Sequence, residues 1–79
     1  MELRQKPHTA GLRTTERAIK SGSCCVVYLA EDADIYVRRR IKDLCLEAGV
    51  ECESVPTMAE LGEACALPVK TACAAVLKG

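Results

Sequence analysis

The stretch Ala10-Gly11-Leu12-Arg13-Thr14-Thr15-Glu16-Arg17-Ala18-Ile19-Lys20-Ser21-Gly22 reads as a glycine turn, a short helix and a glycine stop. Gly11 frees the backbone for a tight approach, and Thr14 or Thr15 is placed to cap the first turn. Gly22 is placed to end the helix in a left-handed conformation. Wound as a helix, Leu12, Thr15 and Ile19 share one side, and Arg13, Arg17 and Lys20 share another. A basic stripe therefore starts beside a helix N-terminus, where free N–H groups and the macrodipole already favour anions. Phosphate is the ligand that this combination suggests. The same spacing also describes an ordinary solvated surface helix, so the stripe alone does not assign a function.

Working outward, Cys24-Cys25-Val26-Val27-Tyr28-Leu29-Ala30 is an unbroken apolar run, β-branched at its centre, which suits a strand buried on both faces. It stops at Glu31-Asp32-Ala33-Asp34. Carboxylates packed this closely could hold a metal, but satisfying turn donors explains them better, with Asp34 as N-cap of the next helix. That helix is expected over Ile35 to Ala48, with Val37, Ile41, Leu44, Cys45 and Ala48 inward and Gly49 ending it. Arg38, Arg39, Lys42, Asp43 and Glu47 then mostly face out. The Arg38-Arg39-Arg40 run reads as a solvated face beside Asp43 and Glu47.

Val50-Glu51-Cys52-Glu53-Ser54-Val55 alternates, which predicts a strand with one wet face near a sheet edge, and Pro56 stops it. Thr57-Met58-Ala59-Glu60 has the form of a capping box. Met58, Leu61 and Cys65 would line the inner side of the short helix that follows. Ala66-Leu67-Pro68-Val69 is an apolar loop, and Ala72 to Leu77 is the last strand. In front of the first helix, His8-Thr9-Ala10 has room for a very short strand. Residues 1–8 otherwise read as a loose, basic arm, flexible and set apart from a single domain over residues 9–79. The alternation predicts an α/β fold, a three-layer α/β/α sandwich with a central mixed sheet of about four strands. Its expected core is Val26, Leu29, Ile41, Leu44, Leu61 and Val76. Leu44→Ala should cost roughly 2–5 kcal/mol.

The chain has 79 residues, near the lower limit at which one core holds without help. Its only aromatic residues are Tyr28 and Tyr36, so aromatic stacking on bases is not the expected mode of holding nucleic acid. Net charge is zero, yet Arg4, Lys6, Arg13, Arg17 and Lys20 face only Glu2 and Glu16 within residues 1–22. A basic end of this kind can still hold phosphate locally. Cys24, Cys25, Cys45, Cys52, Cys65 and Cys73 fit neither zinc spacing nor a secreted disulfide framework. They are expected to be reduced, metal-free and buried, as small hydrophobes in a cytoplasmic protein. No run approaches the roughly 20 apolar residues of a membrane span, and no nucleotide loop or catalytic triad signature occurs.

Three stretches give the chain a family resemblance: Gly11 to Gly22, then Leu29-Ala30-Glu31-Asp32-Ala33-Asp34, then Val55-Pro56-Thr57-Met58-Ala59-Glu60-Leu61-Gly62-Glu63-Ala64-Cys65. In this order it resembles the L7Ae/L30e ribosomal-protein superfamily, in particular its small bacterial YbxF-like members. The resemblance implies binding to kink-turn RNA, with the Gly11 turn and first helix entering the groove at tandem sheared G·A pairs. Archaeal members carry Asn-Glu, and Lys three residues after the Glu, in this helix. Arg13, Thr14 and Arg17 stand at those positions here, so only the last charge is kept. Leu12 and Lys20 belong to the same implied surface, as does Glu31 in the second stretch. A second RNA-facing loop matches Ala66-Leu67-Pro68-Val69-Lys70, whose apolar groups would pack on the extruded nucleotide. Ala66 replaces the family's usual glycine, which threatens a positive φ there.

The implied function is a non-enzymatic binding protein for structured ribosomal or regulatory RNA. It would be monomeric, without cofactor, metal, membrane or small-molecule substrate. The competing reading is a protein–protein interaction module on the same scaffold without RNA. It would be marked by Leu67 and Val69 joining the long helix in one exposed apolar patch. A thiol redox or metal protein built on the six cysteines is the third.

Overall fold

The computed structural model describes Leu3 and residues 5–78. The elements run β1 (His8–Ala10), α1 (Leu12–Lys20), β2 (Cys24–Ala30), α2 (Ile35–Ala48), β3 (Glu51–Val55), α3 (Met58–Ala64) and β4 (Cys73–Leu77). The four strands form one mixed sheet in the order β1-β4-β2-β3. β4 is antiparallel to both β1 and β2, while β2 and β3 run parallel, as strands joined by a helical crossover can. Helices α1 and α2 cover one face and α3 the other, giving the expected three layers.

Two separate cores result. Ala18 and Ile19 of α1 and Ile41, Leu44 and Cys45 of α2 pack on Cys24, Val27, Leu29, Cys73 and Ala75 of the sheet. On the opposite face Leu61, Ala64 and Cys65 pack on Ala30, Val55, Ala74 and Val76. The alanines of β4 let helices approach its two faces closely. Of the expected core, Leu29, Ile41, Leu44, Leu61 and Val76 are buried, but Val26 is only half-buried and Val27 is enclosed instead. Val26 and Tyr28 face the side covered by α3 alone, where seven residues of helix leave the strand partly bare.

Local chemistry explains the element ends. The Asp34 side chain accepts from the Tyr36 N–H at 2.8 Å and starts α2, and Gly49 ends it at φ 69°. Thr57 Oγ1 accepts from the Glu60 N–H at 3.1 Å. Another of the free donors of α3, the Met58 N–H, goes to Asp32 at 2.8 Å, so the turn after β2 caps a helix far along the chain. Strand β3 lies at the edge as expected, but only Val55 is buried, so it is wet along most of its length. Ala48 is likewise exposed, at the open end of α2.

Three further expectations are corrected. The segment read as a loose arm is tied down at Leu3, which is 1% exposed and donates its N–H to the Ala64 carbonyl at 2.9 Å. The Leu77 N–H also reaches the Pro7 carbonyl at 2.8 Å, and His8 opens β1. Met1, Glu2, Arg4 and Gly79 lie outside the described residues, so the Arg4 charge of the basic end is not placed. Two thiols are exposed and not buried. Cys25 is one, in a register shift between Cys24 and Val26, and Cys52 lies on the edge strand. Neither Thr14 nor Thr15 caps α1; the Thr14 hydroxyl turns back to the Ala10 carbonyl at 2.6 Å, and Thr15 is buried.

Candidate functional site

The sheet brings Gly11, Glu31 and the 66–70 loop to one end. Ala10 pairs with Ala74, Leu29 with Cys73 and Ala30 with Val55. The last residues of β1, β2 and β3 therefore meet the first of β4. Gly11, Glu31 and the loop of residues 66–70 all leave the sheet from that end. Backbone bonds fasten the arrangement: the Gly11 N–H donates to Cys73 at 2.9 Å, Ala30 to Ala72 at 2.9 Å and Glu31 to Val55 at 2.8 Å.

Gly11 is the N-cap of α1 with φ 98° and ψ 159°, a backbone open to glycine and rarely to other residues. Among the described residues no side chain caps the helix, and no acidic residue lies in its first turn. The first N–H groups of α1 therefore lack a capping side chain, and the helix dipole adds partial positive charge at this end. Arg13 and Thr14 are exposed in this first turn, and Arg17 follows one turn on. Lys20 lies at the far end of the helix, on the order of 10 Å along the axis.

Arg13, Arg17 and Lys20 do share a surface. With Leu12 they line an open groove of about 730 Å³, closed on its other side by Tyr36 and Arg40 of α2. Glu16 lies in the same groove, and its carboxylate accepts from Arg40 Nη2 at 3.2 Å. The three consecutive arginines of α2 thus have different surroundings. Arg38 Nε donates to the Ala33 carbonyl at 3.1 Å and folds over the helix start, so it does not point out as expected. Arg39 is exposed, and Arg40 faces α1.

The second loop forms a shallower depression of about 470 Å³, in which Ala66, Leu67, Val69 and Lys70 meet Ala59 and Glu63 of α3. Leu67 and Val69 are exposed, but they adjoin α3 and not the long helix α2. Among the described residues the depression that they line includes none from α2. Ala66 keeps the positive φ of the expected glycine, at 61°, despite its Cβ. Gly62 bears on the same loop. A Cβ on Gly62 would collide with the Val69 carbonyl oxygen and stand 2.9 Å from Lys70 Cα, so the loop rests directly on helix backbone.

The thiols take no part in this surface. Burial raises the pKa of Cys24, Cys65 and Cys73, and pushes Cys45 up to about 12. These groups are neutral packing units at ordinary pH. Among the described residues no group of three or more His, Cys, Asp or Glu side chains is arranged to hold a metal, and no helix is long and apolar enough to cross a membrane.

Gly62, Asp32, Tyr36 and Arg40 are the positions that sequence reasoning missed. A glycine inside a helix was a signal of close approach. The other three act across long sequence separations, which periodicity along one element does not encode.

Comparison with known proteins agrees with this architecture. The model of the ribosomal protein L7Ae/L30e/S12e/Gadd45 family matches residues 2–79. RNA-binding protein YbxF of Geobacillus stearothermophilus is 37% identical over 68 residues, covering 86% of this chain and 83% of that protein. An RNA-binding protein of Caldanaerobacter subterraneus subsp. tengcongensis is 36% identical over 69 residues, 87% of this chain and 84% of the relative. The Giardia lamblia 15.5kD RNA binding protein superposes with a TM-score of 0.86 at 26% identity, over 95% of this chain and 62% of that one. The chain belongs to the ribosomal protein L7Ae/L30e/S12e/Gadd45 family.

Proposed function

We propose that this chain binds structured RNA of the kink-turn type, reading tandem sheared G·A pairs with the Gly11 turn and the N-terminal half of α1. The observation that carries the reading is the uncapped start of α1 between Gly11 and the exposed Arg13 and Arg17, fixed beside the 66–70 loop. Free backbone donors with a fixed dipole act over a short range. A protein of zero net charge can therefore hold a polyanion at one place without attracting it everywhere.

In this proposal Arg13 and Arg17 meet phosphates or guanine edges, and Thr14 and Leu12 pack against the opened pairs. Lys20 extends the contact along the stem. Glu31 accepts from a base amine, and Leu67, Pro68 and Val69 pack on the extruded nucleotide with Ala66 and Lys70 beside them. RNA shape and non-canonical base edges, more than helical sequence, would be recognised. The relatives' names as RNA-binding proteins support the partner class.

A gel shift tests it with two RNAs: a standard kink-turn, and the same duplex with its G·A pairs replaced by Watson–Crick pairs. Tight binding to the first and weak binding to the second is expected. Equal affinity for the two would overturn the kink-turn reading.

A further inference from the structure

We infer that the groove between α1 and α2 continues the RNA surface of α1 onto a second helix, taking a single sugar–phosphate strand beyond the kink, and that Arg40 makes it usable by neutralising Glu16. This rests on the RNA-binding reading above and extends it to a helix that the reading leaves out.

Arg13, Arg17 and Lys20 line one wall of the groove, and Glu16 stands among them. A bare carboxylate at that place would repel each phosphate the three cations attract. Arg40 reaches across from α2 and donates from both Nε and Nη2 to the same oxygen, Glu16 Oε2, at 3.4 and 3.2 Å. The Glu16 side chain is 20% exposed and that of Arg40 42% exposed, so the pair hides the carboxylate more than the guanidinium. Guanidinium carries five N–H donors in a planar fork. Engagement of one edge by Glu16 leaves the Nη1 group of Arg40 for a phosphate. With the pair formed, the groove presents a net positive wall and no uncompensated acid, which suits an anionic backbone. Tyr36, 66% exposed at the same groove, gives an amphipathic surface for a ribose or base.

Position separates Arg40 from its neighbours. Arg38 is spent on the Ala33 carbonyl, and Arg39 is not among the groove residues. Only the last arginine of the run should matter to RNA.

The test uses the full chain and a kink-turn RNA with an extended stem, with binding measured at two salt concentrations for wild type and for Arg40→Gln, Arg39→Gln, Glu16→Gln and the Arg40→Gln/Glu16→Gln double variant. Arg40→Gln should bind about tenfold more weakly and Arg39→Gln like wild type, because only the former removes a positioned charge and uncovers an acid. Glu16→Gln should bind at least as tightly as wild type, and in the double variant it should recover much of the loss. Such recovery separates neutralisation from a merely structural role, as does an unchanged thermal midpoint for Arg40→Gln. Wild-type affinity in Arg40→Gln, or no recovery in the double variant, overturns the inference while leaving the kink-turn reading in place. A wild-type chain that does not distinguish the kink-turn from its G·A-replaced control overturns that reading instead, whatever the variants do.

Discussion

The Gly11 N–H donates to the Cys73 carbonyl at 2.9 Å, and this bond sets the start of α1 beside the strand that carries the 66–70 loop. The Gly11 turn and that loop thereby emerge at the same end of the sheet. The central strand β4 is short-chained on both faces, so its position is fixed by helices packed close on either side.

Gly62→Ala tests how firmly the loop is seated. The new methyl would meet the Val69 carbonyl and Lys70 backbone, so the loop must lift from α3. Stability should fall by about 1–3 kcal/mol in urea titration, and RNA affinity should fall with it. An unchanged midpoint would mean that the loop is not held against the helix.

Ala66→Gly should act in the opposite direction. Ala66 sits at φ 61°, where a Cβ costs roughly 1–2 kcal/mol. Glycine relieves that cost but loses part of the gain to a freer unfolded chain. A net rise of up to about 1 kcal/mol is expected from the denaturant midpoint. A fall would show that the loop prefers another conformation.

Much of this molecule was legible along the chain. Gly22, Asp34, Gly49 and Pro56 punctuate elements where their backbone preferences require, and the bounds of β2 and α2 follow from them. The family resemblance drew attention to the Gly11 turn and the 66–70 loop, and the fold sets both at one end of the sheet. What was not legible depends on distance through space. Nothing near Leu3 reveals that it docks on Ala64, and nothing near Arg40 identifies Glu16 as its partner. The register shift at Cys25 is a property of the pairing with β4 and not of the strand alone. Periodicity names a face of an element; it does not say which neighbour covers it.

Thr15 offers a test of packing inside α1. Its residue is 0% exposed, and its hydroxyl is buried with no oxygen or nitrogen partner among the described residues, only the weakly bonding Cys73 thiol beside it. Thr15→Val keeps the shape and removes the desolvated hydroxyl, so stability should rise by about 1 kcal/mol. Thr15→Ser, which keeps the hydroxyl and loses the methyl, should be destabilised. A loss in the valine variant would show that the hydroxyl is satisfied.

The thiols predict a pH dependence. Burial holds the folded-state pKa of Cys24, Cys45, Cys65 and Cys73 above the ordinary value, with Cys45 at about 12. Unfolded, these thiols lose their protons near pH 8.5, give or take about half a unit. Their contribution to stability is complete below that pH. Above it the unfolded state holds fewer protons than the folded one, so stability drops as pH climbs toward the folded-state values. The urea midpoint should decline between roughly pH 8 and pH 10, less steeply in Cys45→Ala. In native protein at neutral pH a maleimide should modify the exposed Cys25 and Cys52, with Cys52 slowed because burial raises its pKa as well, and spare the other four. A flat alkaline profile, or rapid labelling of all six, would contradict the packing described.

The most direct measurement compares Arg17→Ala with Arg39→Ala on one kink-turn RNA at two salt concentrations. Arg17 stands one turn into the uncapped helix, whereas Arg39 is exposed on α2 away from the groove. Arg17→Ala should lose about 1–3 kcal/mol of binding as a charge-assisted contact is removed. If that contact is to phosphate, the slope of log affinity against log salt should shrink by about one. If it is to a guanine edge, the slope should hold and discrimination against G·A-replaced RNA should narrow. Arg39→Ala should bind as wild type in both conditions. Equal losses for the two variants would mean diffuse attraction of RNA to any surface cation, and would contradict a specific site at Gly11–Arg17.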